Sequence, residues 1–550
     1  MVLLKGVNDA SGMSLYEVLR LTQKSYPEGS AYRYFGVGAT YTEFLEQVDH
    51  VSLCYRKLGV SEGDRVVICL PNCPQAMITF YALNRLGAIS VMVHPLSSAP
   101  EIARFIEDCG AKAAITIGMF VENFPKLGGD GTLRTLIVTS PVDPLPAAKA
   151  AIAKMLRKEV RVPRMEKGSG AIRWKDFLKT GTSSLDMNFP KVLPDEPASI
   201  LYTGGTTGIN KGAVHTNRAF NTSAMAMAIA SGFKEMVGTR MLSNLPMFHG
   251  FGLVTCFHIP VLTAMECVMM PTFSADQICD VIRKERINYI AGVPNLFGKI
   301  IDNKSMQNAD LSPVVGVFCG GDSIASADKR RFDEFLEVHG SKTYMRVGYG
   351  STEVLAAVSL TDRYEECTGS CGLPIPGFSL KVVKEGTTEE LPRGECGEIC
   401  IAGPSMMLGY LNNEEETAAV LKKHDDGKIW FHSGDAGYMD EEGRLYFVSR
   451  IKRIIVTSGY NVYPSQIESI LNEDGRIKHS CVIGVPDQFR GEKVKAFVVL
   501  ADGVPPTDET RDELRAFMRS NISAYSKPRE YEFVDTLPKT KVGKIDYRAL

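Results

Sequence analysis

The sequence lacks the long hydrophobic runs and the charge surplus that mark a membrane protein or a nucleic-acid binder. No apolar run reaches the length of about 20 residues that crosses a bilayer as a helix. The first eight residues lack the basic start and long apolar stretch of a signal peptide. The formal net charge is −2 for 550 residues, which leaves no basic footprint. We therefore expect a cytoplasmic protein with no stable membrane insertion and no nucleic-acid partner.

The cysteines form neither a disulfide framework nor a common zinc motif. Their number, 13, is odd, and most lie inside apolar runs, as is typical of reduced core thiols. The pairs Cys367/Cys371 and Cys396/Cys400 are spaced more widely than the C-x2-C pairs of common zinc sites, and the second pair falls in a strand-like run. We therefore do not expect these cysteines to form a structural zinc site.

The sequence has no internal repeat and no low-complexity tract, and it is too long for a single core. Strand, helix and strand patterns follow one another at 63–70, 75–86 and 88–93, and similar patterns recur downstream, which predicts βαβ units with parallel sheets. We predict an α/β fold in two domains. They are a large N-terminal domain of βαβ-built sheets, 1–450, with a small β-rich subdomain, 369–450, and a smaller, mobile α+β C-terminal domain, 451–550.

Two local features carry their own predictions. Residues 41–54 have apolar positions at helical spacing, and Thr42 is predicted to cap this helix. Residues 147–158 form a basic amphipathic pattern within a segment that interrupts the βαβ rhythm. This pattern is typical of a solvated surface helix, and a role at a membrane surface is the alternative.

A glycine- and threonine-rich stretch ends in a single lysine, Lys211. Backbone N–H groups and hydroxyls in such a loop can surround a phosphate chain, and the ammonium group can neutralise it. The stretch is not a Walker A loop, because Gly212 stands where a serine or threonine would bind magnesium. Taken alone, such a stretch is more often an ordinary flexible turn.

The same stretch, 202–212, reads YTGGTTGINKG and resembles the signature of the adenylate-forming superfamily. This superfamily contains acyl- and aryl-CoA synthetases, luciferases and the adenylation domains of peptide synthetases. Seven such segments occur in the family's order across 202–545. The chain departs from the usual pattern at two positions, with Gly204 for serine and Asn210 for proline, so one hydroxyl contact to phosphate is missing. The resemblance implies these nucleotide-binding residues in the loop: Thr203, Gly204, Gly205, Thr206, Thr207, Gly208 and Lys211.

Residues 347–353, VGYGSTE, match a second family segment without departure. The resemblance implies that Tyr349 packs on adenine, that Thr352 contacts the α-phosphate and that Glu353 binds Mg²⁺. Gly350 and Ser351 are implied nucleotide contacts. Without the resemblance, Glu353 would be interpreted as a carboxylate that complements a helix dipole.

Five further nucleotide-binding residues follow from the resemblance. Gly320, Gly321 and Asp322 occupy the place of the adenine segment, where a close backbone approach needs glycine. Asp435, in a motif with Ser433 in place of threonine, is implied to accept hydrogen bonds from the ribose hydroxyls. Arg450 is implied to help hold ribose and phosphate.

The C-terminal part carries the implied catalytic lysine and hinge. Lys544, in the segment 538–546, is implied to bridge the substrate carboxylate and the α-phosphate. Lys452 falls at the family's hinge position, about which the small domain rotates between an adenylating and a thioester-forming arrangement. The resemblance places Ser458, Gly459 and Tyr460 in the segment that lines the tunnel for coenzyme A.

His249, the remaining implied catalytic residue, lies in a segment that resembles the aromatic gate beside the substrate carboxylate. No aspartate that could hold a substrate ammonium occurs there, which favours a plain carboxylic acid. The apolar, methionine-rich residues 224–232 suit a hydrocarbon site, although a helix packed in the core would have the same pattern.

Together these features imply an ATP-dependent carboxylic acid:CoA ligase that uses ATP, Mg²⁺ and coenzyme A and forms an acyl-adenylate. A medium- or long-chain fatty acid is the preferred substrate, with an aryl acid as the alternative. Two other functions stay open, namely an adenylating enzyme that delivers to a carrier protein and a nucleotide-binding protein without turnover. The sequence also leaves a homodimer open.

Overall fold

The computed structural model describes residues 9–127, 131–156, 162–163, 170–181, 188–203, 210–233, 236–271, 274–362, 369–457, 460–522, 526–540 and 545–550. The predicted segments 204–209, 458–459 and 541–544 therefore lie outside the described residues. Within the described ranges the strands form four sheets, two large and two small. No helix in these ranges combines the length and the hydropathy that crossing a membrane requires.

The first large sheet contains eight strands and the predicted βαβ units. Six of its strands, from Pro197–Tyr202 to the edge strand Ala171–Arg173, are parallel, and the Pro74–Arg85 and Ala99–Cys109 helices connect three of them. In spatial order the strands are Gly409–Tyr410, Gly212–Thr216, Pro197–Tyr202, Ile89–Met92, Arg65–Cys69, Ala113–Ile117, Thr135–Thr139 and Ala171–Arg173. The two strands at one edge are antiparallel, so the loop after Tyr202 closes a hairpin.

The second large sheet contains nine strands and recruits a hairpin from near the start of the chain. Ser30–Tyr34 pairs in parallel with Glu266–Met269. The strand order is Leu373–Pro374, Ala357–Leu360, Met345–Gly350, Gly316–Cys319, Tyr289–Gly292, Arg240–Ser243, Glu266–Met269, Ser30–Tyr34 and Val37–Thr40. The helices that accompany the parallel strands are Ala275–Glu285, Pro294–Asp302 and Ser326–Val338.

One hydrophobic cluster joins the two large sheets through the helices around them. It contains buried residues of the helices Leu15–Ser25, Tyr41–Lys57, Pro74–Arg85 and Asn217–Ala230 together with strand residues of both sheets. The Pro74–Arg85 helix is buried at every position from 74 to 84, as a helix enclosed on all sides must be. This common core fixes the position of one sheet relative to the other.

The predicted cap of the second helix is wrong by two residues. The helix Tyr41–Lys57 is capped by Thr40, whose hydroxyl accepts the N–H of Glu43 while the Glu43 carboxylate accepts the N–H of Thr40 at 2.8 Å. Thr42 instead donates its hydroxyl to the Pro27 carbonyl. The reason is the reciprocal capping box, which needs threonine and glutamate three residues apart.

The two small sheets lie in the C-terminal part of the chain. The first is antiparallel and consists of Ser379–Val383, Gly397–Ala402, Ile429–Met439, Leu421–Lys423 and Leu445–Arg450. The second consists of Tyr460–Val462, Ile455–Thr457, Gly491–Leu500, Ile477–Asp487 and Glu530–Phe533, and it packs with the helices Pro464–Asn472 and Asp508–Asn521 around a hydrophobic cluster of its own. A separate core is what a mobile domain requires. The boundary after residue 450 and the mobility stay predictions.

The segment that interrupts the βαβ rhythm contains the predicted helix, which the structure describes as Ala147–Leu156. Whether this helix lies at a solvated surface or acts at a membrane surface stays a prediction. A short helix, Trp174–Leu178, follows and buries Trp174 and Phe177.

Candidate active site

The two ends of the glycine-rich loop lie side by side at the edge of the eight-stranded sheet. The N–H of Thr203 donates to the Lys211 carbonyl at 2.9 Å, and the N–H of Lys211 donates to the Thr203 hydroxyl at 3.4 Å. Residues 204–209, which include most of the predicted phosphate contacts, lie outside the described residues. The hairpin therefore fixes where the loop begins and ends.

The turn that carries Thr352 and Glu353 is formed by a close backbone approach. A Cβ atom on Gly350 would lie 1.8 Å from the Ala356 carbonyl oxygen, so only glycine fits at the end of the Met345–Gly350 strand. A short 3₁₀ helix, Thr352–Val354, follows, and Leu355 adopts a positive φ of 71°. Such a backbone conformation is costly for a residue with a side chain and persists only where its surroundings enforce it.

Glu353 and Lys211 are linked through Tyr410, a residue that the sequence did not single out. The Tyr410 hydroxyl donates to Glu353 Oε1 at 2.8 Å, and Lys211 Nζ lies 5.0 Å from the centre of the Tyr410 ring. Lys211 Nζ also contacts Glu416 Oε2 at 2.5 Å. Burial, followed by the Glu353 charge, raises the pKa of Tyr410, so its hydroxyl stays a neutral donor. The structure thus brings the predicted phosphate-binding lysine and metal-binding glutamate together.

A second cluster consists of three side chains, each on a different strand, that contact one another: Asp435, Arg450 and Tyr349. Asp435 and Arg450 are opposite each other in the antiparallel pair Ile429–Met439 and Leu445–Arg450, and Arg450 Nε lies 2.9 Å from Asp435 Oδ1. The Tyr349 hydroxyl donates to Asp435 Oδ2 at 2.7 Å. Asp435 is only 1% exposed. An ionised carboxylate at such a position must be held by donors of this kind.

The turn before Asp435 is fixed by hydrogen bonds to a neighbouring strand. The hydroxyl of Ser433 donates to the Ile399 carbonyl at 2.7 Å and accepts the N–H of Asp435 at 3.1 Å. The N–H of Gly434 donates to Glu398 Oε1 at 3.1 Å. Serine in place of the family's threonine therefore still anchors this turn.

The predicted adenine segment emerges at the same sheet edge as the Tyr349 strand. Gly316–Cys319 and Met345–Gly350 are neighbouring parallel strands, so the residues after Cys319 and after Gly350 leave from one edge. Ligands of open α/β sheets bind outside this carboxyl edge. Gly321 has a φ of +79°, which favours glycine, and Asp322 is exposed and accepts the N–H of Ser323 at 2.9 Å.

The predicted gate segment contacts both of these turns. A Cβ atom on Gly250 would lie 1.9 Å from the Leu355 carbonyl oxygen, and one on Gly320 would lie 3.5 Å from the Phe251 ring. His249 is half-buried, with its ring centre 5.0 Å from that of Phe248. A π-helical stretch, Leu253–His258, follows directly, and such stretches occur frequently at functional sites.

The implied hinge and coenzyme A residues are described only in part. Lys452 is exposed in the 3₁₀ turn Ile451–Arg453, and Tyr460 begins the strand Tyr460–Val462. Ser458, Gly459 and Lys544 lie outside the described residues. The residues that flank Lys544 pair with each other, because Lys539 and Ile545 form an antiparallel bridge. The roles of all these residues stay predictions.

The chain matches the family described as AMP-binding enzyme over residues 19–411 and the AMP-binding enzyme C-terminal domain over residues 466–544. A long-chain-fatty-acid--CoA ligase of Bacillus subtilis (strain 168) is 33% identical over 541 residues, covering 98% of this chain and 94% of the relative. A protein of the same description from Salmonella typhimurium is 31% identical over 555 residues, covering 99% and 95%.

A solved structure of an anthranilate CoA ligase in complex with anthranoyl-AMP shares the fold, with a TM-score of 0.83 at 22% identity and coverage of 97% of this chain and 96% of that one. The predicted α/β architecture, with its large N-terminal and smaller C-terminal domains, is thereby confirmed. The match to the first family extends over most of the chain, and the relatives match nearly all of it. The chain belongs to the AMP-binding enzyme family of adenylate-forming enzymes, in its acyl-CoA synthetase branch.

Proposed function

We propose that this chain is an ATP-dependent fatty acid:CoA ligase that forms an acyl-adenylate and then an acyl-CoA, with a long-chain fatty acid as its preferred substrate. The observation that carries the proposal is a pair of polar clusters, Lys211–Tyr410–Glu353 and Tyr349–Asp435–Arg450. They lie beside each other because Tyr349 and Glu353 flank the end of the Met345–Gly350 strand. The long-chain acid is supported by the two full-length relatives, whose descriptions name that substrate class.

The first half reaction joins two anions, and the side chains at the site counter their repulsion. An oxygen of the fatty-acid carboxylate attacks the α-phosphorus of ATP, a P–O bond forms, and the bond to pyrophosphate breaks. Lys211 and Arg450 supply positive charge near the phosphates, and Lys544 is proposed to contact both the carboxylate and the α-phosphate. Fixed charges of this kind act on the transition state without reorganisation of solvent.

A magnesium ion fits the donor set at Glu353. Mg²⁺ in nucleotide sites is commonly held by one or two carboxylates together with substrate phosphates. One Glu353 oxygen accepts a hydrogen bond from neutral Tyr410, which orients the carboxylate without cancelling its charge. Bound there, the ion would neutralise phosphate charge during adenylation.

The second half reaction uses the thiol of coenzyme A. The thiol releases its proton to solvent, its sulfur attacks the carbonyl carbon of the acyl-adenylate, and the new C–S bond forms. AMP leaves with the electron pair of the broken C–O bond. We propose that rotation about Lys452 replaces the Lys544 segment by the segment around Gly459 at the acyl group. Splitting the overall reaction at a reactive acyl-adenylate divides one difficult step into two easier ones.

A panel of acids tests this function directly. We expect release of AMP that requires both coenzyme A and an acid, with the highest kcat/KM for long-chain fatty acids over short-chain and aryl acids. Preference for an aryl acid would contradict the substrate class. Acid-driven pyrophosphate exchange without AMP release on addition of coenzyme A would identify a different acceptor, and absence of exchange with every acid would contradict catalysis.

Glu416→Gln should lower the apparent KM for ATP about two- to fivefold, because a partly exposed ion pair is worth up to about 1 kcal/mol. Glu416 holds Lys211 at 2.5 Å and competes with phosphate for its ammonium group. Initial rates at varied ATP measure the change. Glu414→Gln, which removes the same charge from the same Glu414–Val420 helix, is the matched control. A higher KM in Glu416→Gln alone would instead mean that Glu416 positions Lys211 for the nucleotide.

A further inference from the structure

Cys400, His424 and His432 form a buried cluster that the proposed reaction does not use. Cys400 and His432 are direct cross-strand neighbours in the pair Gly397–Ala402 and Ile429–Met439. His424 follows the adjacent strand, Leu421–Lys423. One ligand atom of each of the three side chains lies within 4.8 Å of the others, and all three residues are buried. The register of the small antiparallel sheet therefore brings together one sulfur and two imidazole nitrogens.

Hydrogen bonds fix the state of both histidines. His432 Nδ1 lies 2.8 Å from Glu398 Oε2, so the proton is on Nδ1 and Nε2 presents its lone pair. His424 Nε2 lies 2.9 Å from that nitrogen. His424 is 4% exposed, and its Nδ1 atom makes no hydrogen bond to any residue that the structure describes. Glu398 thus orients the His432 ring, whereas no described residue forms a hydrogen bond with the far nitrogen of the His424 ring. A buried nitrogen without a hydrogen-bond partner is uncommon in native proteins.

Glu398 has the position of an outer partner to a metal ligand. Metal-binding histidines usually donate their second nitrogen to a carboxylate, which sets the tautomer and the ring orientation. Burial acts to raise the pKa of Glu398, but the hydrogen bond and charge of His432, the Gly434 N–H and the Lys422 charge together outweigh it and the pKa is lowered. A carboxylate at 2.8 Å from His432 Nδ1 can balance positive charge on the other side of the ring.

We propose that Cys400, His424 and His432 bind a Zn²⁺ ion, with Glu398 supporting His432 from outside. One thiolate and two imidazoles are ligands that Zn²⁺ prefers, and three protein ligands leave a fourth position for water. Tetrahedral zinc at about 2.0–2.1 Å from nitrogen separates two nitrogens by about 3.3 Å. The two Nε2 atoms, now 2.9 Å apart, need to separate by a few tenths of an ångström. The rings must also turn so that both lone pairs face the ion, and the His424 proton must move from Nε2 to Nδ1.

The cluster is enclosed in a way that suits a structural ion. The Trp430 ring lies 5.8 Å from the His424 ring, and Lys381 Nζ lies 4.2 Å from the centre of the Trp430 ring. Burial raises the pKa of the Cys400 thiol. Ion binding would therefore release the thiol proton, since the thiolate is the metal ligand.

The ion would stabilise the turn that carries Asp435. Glu398 accepts a hydrogen bond from His432 Nδ1 on one oxygen and one from the N–H of Gly434 on the other. Gly434 directly precedes Asp435. The ion does not touch the reacting groups, so its effect on the nucleotide site would be one of positioning. This inference does not depend on the identity of the acid substrate or on turnover.

Cobalt substitution and metal analysis of the full chain test the proposal. After treatment with a chelator, we expect the protein to bind one Zn²⁺ per chain and, with Co²⁺, to show the intense visible bands of a tetrahedral site and a sulfur-to-cobalt charge-transfer band. Cys400→Ser should abolish the charge-transfer band. Cys396→Ser, which removes an exposed thiol just before the same strand, should retain it. Glu398→Gln should weaken zinc binding about 10- to 100-fold, as for other outer partners.

Other outcomes would overturn the proposal. A charge-transfer band that survives Cys400→Ser, or a wild-type chain that takes up no ion from stoichiometric Zn²⁺, would reduce the cluster to a histidine pair beside a core thiol. Circular dichroism checks folding of each variant. If Cys400→Ser does not fold, His424→Gln decides, because it retains the thiol and should lower zinc affinity at least as much as Glu398→Gln.

Discussion

Lys544→Ala should lower the rate of acyl-adenylate formation by about a hundredfold or more, as for a lost transition-state donor, while supplied acyl-adenylate is still converted to acyl-CoA. In the proposed reaction Lys544 bridges the carboxylate and the α-phosphate only during adenylation. In the second half reaction the segment around Gly459 takes its place. Acid-dependent pyrophosphate exchange measures the first half reaction, and coenzyme A-dependent consumption of synthetic acyl-adenylate measures the second.

The matched control is Lys541→Ala, which removes the same charge three residues earlier in the same segment. We expect it to leave both half reactions within a fewfold of wild type, since the proposed mechanism gives Lys541 no contact with the carboxylate or the α-phosphate. Equal loss of both half reactions in Lys544→Ala would contradict the two-arrangement mechanism.

The parts of the fold that were predictable from sequence are those set by local patterns. The helix predicted over 41–54 is present as Tyr41–Lys57, and the βαβ unit from 63 to 93 is present because alternating apolar runs specify it locally. The parallel pairing of Ser30–Tyr34 with Glu266–Met269 joins segments more than two hundred residues apart. No local pattern encodes such a partner, and it emerged only with the packed core.

The residues of the candidate site also divide into those that local motifs predict and those that only long-range packing brings in. The motifs supplied Lys211, Glu353, Asp435 and Arg450, but not Tyr410, which links two of them. Tyr410 lies in a two-residue strand that pairs with Gly212–Thr216, and that pairing is a property of the sheet, with no local signature. The individual roles of these residues in binding the nucleotide stay predictions.

The cysteine–histidine cluster and the surroundings of the methionine-rich stretch also depend on contacts between distant segments. Cysteine spacing along the chain predicts no zinc site. In the folded structure, Cys400 lies opposite His432 on the neighbouring strand, and His424 reaches both from the end of a third strand. The methionine-rich stretch proposed to line the acyl site lies on the Asn217–Ala230 helix, where Met225 and Met227 are buried in the main core. An apolar helix face has the same sequence pattern whether it meets a ligand or other side chains.

Asp435→Ala should weaken ATP binding by about a hundredfold or more, because two charge-assisted hydrogen bonds to the ribose would be lost at about 1.5–3 kcal/mol each. The carboxylate is pre-oriented by Tyr349 and Arg450, which hold one oxygen each at 2.7 and 2.9 Å. Calorimetric titration with a non-hydrolysable ATP analogue measures the affinity directly and avoids mixing binding with turnover.

Tyr349→Phe and Asp435→Asn separate contact from positioning. Tyr349→Phe keeps the carboxylate and the stacked ring but removes one of the hydrogen bonds that orient Asp435, so we expect a loss of less than about tenfold. Asp435→Asn keeps the shape and one acceptor oxygen and should fall between the other two. All three substitutions leave a buried polar group without its partner, which costs about 1–3 kcal/mol of stability, so titrations must be made well below each variant's Tm. If Asp435→Ala binds the analogue as tightly as Tyr349→Phe, the carboxylate stabilises the small antiparallel sheet and does not bind the ribose. The nucleotide site must then be assigned elsewhere.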